Sequence, residues 1–210
     1  MISKRRFIKG PLLYVILDSE VLGNRHILKA ARRAIRGGAD ILQFRDKTSS
    51  VIDMIKTASL LKRLAARHKV PLIVNDRAEV ACAINSDGIH VGRGDLRITT
   101  ARRLVGTKKI LGASAGDLLL ARRAVQCGAD YVGCGPVFPT PLKKDRKARG
   151  IKELARMRSS GIPFFAIGGI NTRNVRLVAS KGFRNIAVIR AICASRDSLR
   201  AARILKEALA

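Results

Sequence analysis

Several short stretches pair positive charge with hydrogen-bonding groups in a way that suits an anionic small molecule. The first is Gln43-Phe44-Arg45-Asp46-Lys47. Alternate side chains of an extended segment share a face, so Gln43, Arg45 and Lys47 offer one amide and two cations to a polyphosphate. The second runs from Asp130 to Lys143. A short apolar run, Tyr131-Val132-Gly133, gives way to Gly135, Pro136, Phe138, Pro139, Thr140 and Pro141, and ends on Lys143 and Lys144. Glycine and proline keep such a loop open and stiff, while Thr140 supplies a hydroxyl and Lys143 a point charge. A third, Gly168-Gly169-Ile170-Asn171, lets main-chain amides approach a phosphate ahead of a helix, and Ile189-Arg190 adds a cation.

Carboxylates are scarce, with 15 Asp and Glu in the chain, so the positions of Asp76 and Asp95 stand out. Asn75-Asp76-Arg77 and Gly92-Arg93-Gly94-Asp95 each follow a short apolar run. Two carboxylates beside phosphate groups are what an oxygen-ligated Mg²⁺ requires, with waters and substrate oxygens completing its shell. The simpler role for Asp76 is to cap the next helix. Ser114, after Gly112 and Ala113, offers a hydroxyl near another helix start. The three histidines, His26, His68 and His90, form no base–nucleophile pair with a serine in sequence, which argues against hydrolysis by a triad.

The elements that must position these groups alternate. Short apolar runs at 12–17, 41–44, 72–74, 88–91, 110–111, 131–133, 164–167 and 186–189 read as strands. Helical stretches are expected between them, near 25–36, 51–69, 79–84, 99–105, 117–126, 151–158, 174–180 and 198–208. In the second of these, Val51, Ile55, Ala58, Leu61 and Leu64/Ala65 fall on one face. A weak repeat accompanies the series: GGAD before Ile41, CGAD before Tyr131 and a looser SDG before Ile89. Each places a helix stop and an aspartate ahead of a strand, and Gly38, Gly128 and Gly182 sit where left-handed helix caps are needed.

Eight strand–helix pairs in this length indicate an α/β fold, a single (β/α)₈ TIM barrel spanning 1–210 with a short basic extension at 1–10. A doubly wound sheet is the competing architecture, but no GxGxxG follows the first strand. The barrel directs attention to the strand C-termini, where the residues above all lie, with phosphate expected after strands seven and eight.

The formal charge is +27, from 42 Lys and Arg. It fits either a polyanion-binding face or an enzyme for anionic substrates. Basic residues recur in nearly every segment and only KKDRKAR at 143–149 is dense. At 4% aromatic and without Trp, the chain also lacks stacking platforms for single strands. A basic nucleic-acid-associated protein remains the reading from a different class, and non-specific polyanion affinity is expected in either case. Cys82, Cys127, Cys134 and Cys193 show no CxxC or ligand-like spacing and read as buried free thiols. No run approaches a membrane span, and Lys9-Gly10-Pro11 interrupts the apolar start, so the chain reads as soluble and cytoplasmic. Nothing in the sequence specifies an oligomeric state.

Taken in order, the motifs resemble those of the thiamine-phosphate synthase family. They are YVILD (14–18), QFRDK (43–47), VNDR (74–77), DGIHVGRGDL (87–96), LGAS (111–114), ADYVGCGPVFPT (129–140), Lys143 and AIGGI (166–170). The resemblance implies a transferase of thiamine biosynthesis. The thiazole nitrogen of a hydroxyethylthiazole phosphate displaces diphosphate from a hydroxymethylpyrimidine diphosphate, through a loose, pyrimidine-cation-like state, with Mg²⁺ on the departing diphosphate. By position, Gln43, Arg45, Lys47, Asn75, Ser114 and Lys143 would hold the pyrimidine diphosphate, with Lys143, Ser114 and Arg45 nearest the chemistry. Asp76 and Asp95 would carry Mg²⁺, and Thr140, Gly169 and Ile189 would contact the thiazole phosphate.

Two positions depart from the family pattern. Leu142 replaces the second Thr of a Thr-x-Thr-Lys loop, and Arg190 stands where a small residue, often Ser, is usual. Either the Arg190 guanidinium supplies the phosphate contact that Leu142 lacks, or the pair marks a diverged paralogue without synthase activity. The related thiazole tautomerase shares the fold but relies on a histidine shortly after Gly-x-Ser. Here that place reads Ser114-Ala115-Gly116.

Overall fold

The structure, a computed structural model, describes residues 10–23, 26–143 and 148–210. Eight strands close into a barrel in sequence order: β1 Leu12–Asp18, β2 Ile41–Arg45, β3 Leu72–Asn75, β4 Gly88–Val91, β5 Ile110–Ala115, β6 Tyr131–Cys134, β7 Phe164–Ile167 and β8 Asn185–Val188. All neighbours are parallel, and β8 returns to pair with β1. The helices are α1 Ser19–Leu22, α2 Ile27–Arg36, α3 Val51–Arg67, α4 Ala78–Ala83, α5 Ile98–Val105, α6 Leu118–Gln126, α7 Gly150–Ser159, α8 Val175–Ser180, α9 Arg190–Cys193 and α10 Ser198–Glu207.

Two apolar cores hold this arrangement. The larger lies between strands and helices; the smaller fills the barrel with Tyr14, Ile16, Ile41, Ile73, Ile110, Tyr131, Phe165 and Ala187. The barrel interior is therefore packed with side chains, and a site can form only at its mouth. Phe165 meets Tyr14 and Tyr131 edge-on, with ring centroids 5.2 and 5.3 Å away, the geometry that aromatic quadrupoles favour.

The repeated aspartates have one job, and it is structural. Leu13 N–H donates to Asp40 Oδ2 at 2.7 Å, Leu72 N–H to Asp87 Oδ2 at 2.8 Å, and Leu111 N–H to Asp130 Oδ2 at 2.8 Å. In return the main-chain N–H of each aspartate donates to the carbonyl of that same leucine. A helix cation covers each carboxylate: Lys206 for Asp40, Lys62 for Asp87 and Arg102 for Asp130. Each aspartate thus staples the start of its strand to the preceding strand at the end of the barrel away from the mouth. The glycine before it is left-handed at Gly38 and Gly128, with φ 100° and 101°, which turns the chain out of the helix and into the staple. Asp130→Ala leaves the part-buried Leu111 N–H without its acceptor and takes the carboxylate from Arg102, which keeps the carbonyls of Gly106, Lys109 and Gly128. It is expected to cost about 1–3 kcal/mol in denaturant unfolding, with unchanged substrate KM.

Element positions differ from the sequence expectations in a few places, each with a cause. β5 extends to Ala115, past 111, because Gly112–Ala115 have weak strand propensity yet pair fully with β6. In α3 the buried face is Met54, Ala58, Leu61, Leu64 and Ala65, whereas Val51 is 39% exposed. The short helices α1 and α9 carry too few residues to show a period. Cys134 and Cys193 are buried as expected, but Cys82 and Cys127 are exposed, on helix surfaces where the sequence offers no burial signal. Among the described residues no helix is long and apolar enough to cross a membrane. The extension at 1–9 and most of the dense basic run, 144–147, lie outside the described residues.

Candidate active site

The groups picked out by chemistry assemble at the C-terminal end of the strands, on two sides of the mouth. On the β1–β4 side, Arg45 ends β2 and pairs with Asp18, which ends β1 with no exposed surface. Asp18 also accepts from Val21 N–H at 3.1 Å, capping α1. Its carboxylate therefore fixes the Arg45 guanidinium; Glu20 lies 3.8 Å from the same group. The next residue, Asp46, accepts from Thr48 N–H and Ser49 N–H, both at 3.0 Å. Burial works to raise its pKa, but the bonds from Ser49 and Thr48 outweigh it and hold the carboxyl below its ordinary value. Lys47 Nζ is 3.8 Å from Asp76 Oδ2.

Asp76 does not cap α4: Arg77 occupies that position, without a side-chain cap bond. Asp76 instead has a left-handed backbone, φ 60°, held by its N–H donating to His90 O at 2.8 Å. Its Oδ1 accepts from Gly92 N–H at 2.9 Å, and Asn75 donates to its Oδ2. A non-glycine residue in this region is strained, a cost that concentrates at functional sites. Asp95 approaches the same place from the β4 loop. A Cβ on Gly92 would lie 2.2 Å from Asp95 Oδ2 and 3.6 Å from Asp76 Oδ1, so both carboxylates flank that glycine. Burial raises the Asp76 pKa, and the Asp95 charge adds to the rise against the opposing pull of Gly92 N–H and Lys47. Two hard oxygen donors that repel one another, with one lysine nearby, could hold a divalent cation. Among the described residues no group of three or more His, Cys, Asp or Glu could hold a metal ion. A cation on this pair would thus draw its other ligands from water or a bound substrate.

On the β6–β8 side, a pocket of about 190 Å³ is lined by Thr140, Leu142, Gly168, Gly169, Ile189 and Arg190, among others. Gly169 has a reason besides the one its sequence suggests. A Cβ there would meet Phe138 Cβ at 2.6 Å and Pro139 O at 2.7 Å, so the glycine lets the β6 and β7 loops close on each other. Nor does a helix start directly behind it: α8 begins at Val175, after a turn in which Asn171 N–H donates to Asn174 Oδ1. The short α9 starts at Arg190 itself. The two residues that depart from the family pattern, Leu142 and Arg190, line this one pocket. Lys143 closes the 3₁₀ turn Pro141–Lys143, and its side chain lies outside the described residues.

Between the two sides lies a floor of which sequence reasoning named the ends, Gln43 and Ser114, but missed Tyr14, Tyr131 and His90. Gln43, almost fully buried, donates from Nε2 to the Tyr14 hydroxyl at 2.6 Å. The Tyr14 and Tyr131 hydroxyls are 3.0 Å apart, Tyr131 Oη is 3.2 Å from His90 Nδ1, and His90 Nε2 is 3.1 Å from Ser114 Oγ. His90 therefore sits within the site, against Ser114, although the two are distant in sequence. Its alternation with Ile89 and Val91 on β4 was the available signal for an inward-facing polar group.

Comparison with known proteins decides the family. The thiamine monophosphate synthase model matches residues 13–192. The chain belongs to this family. It is 39% identical over 196 residues to the thiamine-phosphate synthase of Ruminiclostridium cellulolyticum, covering 93% of each chain. It is 44% identical over 196 residues to that of Chloroflexus aurantiacus, covering 92% of this chain and 90% of the relative. Among solved structures, the thiamine phosphate pyrophosphorylase from Pyrococcus furiosus superposes with a TM-score of 0.87 at 34% identity, over 95% of both chains. The family's extent covers every strand and both sides of the mouth.

Proposed function

We infer that this chain is a thiamine-phosphate synthase, joining hydroxymethylpyrimidine diphosphate to hydroxyethylthiazole phosphate with release of diphosphate. The observation that carries the reading is the division of the mouth of a family-identified barrel into a cationic, carboxylate-bearing side and a separate small pocket. Two substrates that must meet need two such places.

The pyrimidine diphosphate is bound by Gln43, Arg45, Lys47 and Asn75 of the first side, with Ser114 from the floor and Lys143 from the loop after β6. Arg45, held by Asp18, presents a fixed guanidinium, and Lys47 a more mobile charge. Asp76 and Asp95 would hold Mg²⁺, which when bound neutralises charge on the departing diphosphate. The carbon–oxygen bond to diphosphate breaks, the electron pair leaves with the diphosphate, and the thiazole nitrogen forms the new carbon–nitrogen bond. Fixed cations at the leaving group act without acid–base chemistry at the carbon. The thiazole phosphate occupies the β6–β8 pocket, against Thr140, Gly169 and Ile189. That assignment follows the tendency of this fold to bind phosphate behind strands seven and eight, near a short extra helix such as α9.

Arg190 takes over the phosphate contact that Leu142 cannot make, since both line the same pocket. Arg190→Ser is then expected to raise the KM for thiazole phosphate about tenfold or more, the worth of a charge-assisted bond, and to leave the KM for the pyrimidine diphosphate unchanged. An unchanged thiazole phosphate KM rejects the compensation.

The reading as a whole is tested by turnover of the two phosphorylated halves in metal-free buffer and again after Mg²⁺ is returned. Activity should be lost and then restored. Failure to form product in either condition rejects the synthase, and full turnover without metal rejects the role of the aspartate pair.

A further inference from the structure

Three successive carbonyl oxygens beside the β6–β8 pocket are each taken up by donors of the protein. Val137 N–H donates to Ile167 O at 2.9 Å, and Phe138 N–H to Gly168 O at 3.0 Å. Gly169 O receives two donors, Asn174 Nδ2 at 2.9 Å and Asn171 Nδ2 at 3.1 Å. The main chain fixes which end of each asparagine amide does this. Asn171 N–H donates to Asn174 Oδ1 at 2.8 Å, which leaves the Asn174 Nδ2 for Gly169. Arg173 N–H donates to Asn171 Oδ1 at 2.9 Å, which leaves the Asn171 Nδ2 for the same oxygen. A main-chain N–H only donates and a carbonyl oxygen only accepts, so neither amide can be turned round.

This hold falls on the part of the loop that turns over most easily. Gly168 and Gly169 have φ 99° and 70°, and glycine takes either sign of φ at little steric cost. The Gly169–Ile170 peptide is trans, so its C=O and N–H point in opposite directions. With the oxygen on the asparagines, the Ile170 N–H is turned away from them. Among the described residues neither Gly169 N–H nor Ile170 N–H has an acceptor, and both residues line the pocket with Thr140, Ile189 and Arg190. Main-chain N–H groups of this kind attract an anion. A turned-over peptide would put a carbonyl oxygen in the place of the N–H and repel it.

We infer that Asn174 and Asn171 are positioning residues, which hold the Gly169 oxygen and so keep the Ile170 N–H turned to a phosphate group in this pocket. That the phosphate is carried by the thiazole rests on the functional reading above; the hold on the Gly169 carbonyl does not.

The orientation is read from the main-chain amide signals of Gly169 and Ile170 in proton–nitrogen spectra of the full-length protein, with inorganic phosphate and separately with hydroxyethylthiazole phosphate. An amide proton that donates to phosphate makes a charge-assisted bond and moves downfield. Both signals should move with inorganic phosphate in the unsubstituted protein. In Asn174→Ala the Ile170 signal should lose most of that movement. Gly169 should keep its own, since the oxygen of its peptide is held by Phe138 N–H instead. Should Asn174→Ala fail to fold, Asn171→Ala removes the other donor and should weaken the Ile170 response in the same way. An Ile170 signal that inorganic phosphate leaves unmoved in the unsubstituted protein overturns the inference, as does one that moves equally in whichever variant folds.

Turnover separates positioning from general damage to the loop. Asn174→Ala is expected to raise the KM for hydroxyethylthiazole phosphate about tenfold, the worth of one bond to a charged group, and to leave the KM for the pyrimidine diphosphate unchanged. Hydroxyethylthiazole without its phosphate, added as a competitor, should inhibit the variant and the unsubstituted protein equally. A loss shared by the phosphorylated and unphosphorylated thiazoles overturns the positioning role. If the unsubstituted protein forms no thiamine phosphate, the functional reading fails, while the response of Ile170 to inorganic phosphate still decides the inference.

Discussion

Asp76→Ala and Asp95→Ala are each expected to lower kcat by about a hundredfold to a thousandfold. A divalent cation at developing leaving-group charge is worth several kcal/mol, at about 1.4 kcal/mol per tenfold in rate. Neither carboxylate has a substitute, since the two flank Gly92 together and no larger acidic or histidine cluster occurs among the described residues. The two substitutions should not add. Once one oxygen donor is gone the cation is held too weakly for the other to matter, so the double variant should resemble either single one. Steady-state kinetics across a Mg²⁺ titration checks this: the single variants should need far more Mg²⁺ to approach their reduced maximum. Near-normal turnover in Asp95→Ala would remove that residue from the metal site. The folded state should survive both changes, although Asp76→Ala loses the bonds from Gly92 N–H and Asn75 and the Lys47 neighbour, and puts alanine at a left-handed position that aspartate tolerates better.

Arg45→Ala carries the second large effect, on stability as well as on activity. Removing the guanidinium leaves the Asp18 carboxylate with no exposed surface and, among the described residues, only the Val21 N–H to offset its charge. Stranding one member of a buried pair costs about 3–5 kcal/mol. Arg45 itself is partly exposed, so water entering its place favours the lower end, about 3 kcal/mol. For a chain of this size that is a fall in melting temperature of roughly 6–12 °C. Asp18→Asn should cost less, because the amide oxygen still accepts from Val21 and the released guanidinium can turn to water. Both variants should bind the pyrimidine diphosphate more weakly, Arg45→Ala through loss of the cation and Asp18→Asn through loss of its orientation. Thermal unfolding of the two side by side tests the asymmetry; equal losses would mean that Asp18 gains as much from solvent as from Arg45.

What was legible in the sequence divides along a physical line. Local signals read well. The eight apolar runs, the glycine stops and the aspartates ahead of strands all depend on residues a few positions apart, and the barrel follows from their order. The strand-end groups were legible too, because a (β/α)₈ barrel fixes which end of each strand carries chemistry. The partners of those groups were not. Asp18 closes an apolar run and looks like its polar end, until β2 brings Arg45 beside it. His90 looked idle because Ser114 and Tyr131 come to it from β5 and β6, and sequence spacing carries no trace of that contact. The repeat GGAD and CGAD was visible as a pattern, but its reason, a carboxylate accepting from a neighbouring strand, required the strand register. Gly169 shows the converse case. Its presence was read as access for phosphate, while its lack of a side chain also serves the contact with Phe138 and Pro139.

The high positive charge bears on the choice between an enzyme and a polyanion-binding protein. Part of it is spent internally: Lys62, Arg102 and Lys206 cover the strand-start aspartates, and Arg45 covers Asp18. Lys47 and Arg190 stand at the two sides of the mouth, where anionic substrates would enter. A nucleic-acid function instead predicts tight, sequence-specific and salt-dependent binding of an oligonucleotide.

The most direct measurement follows diphosphate and thiamine phosphate together in the purified full-length protein with Mg²⁺, with hydroxymethylpyrimidine diphosphate alone and then with hydroxyethylthiazole phosphate added. Catalytic turnover should appear only when both halves are present, with one thiamine phosphate formed for each diphosphate released. Steady diphosphate release without the thiazole phosphate, or no thiamine phosphate with both halves present, would contradict the account.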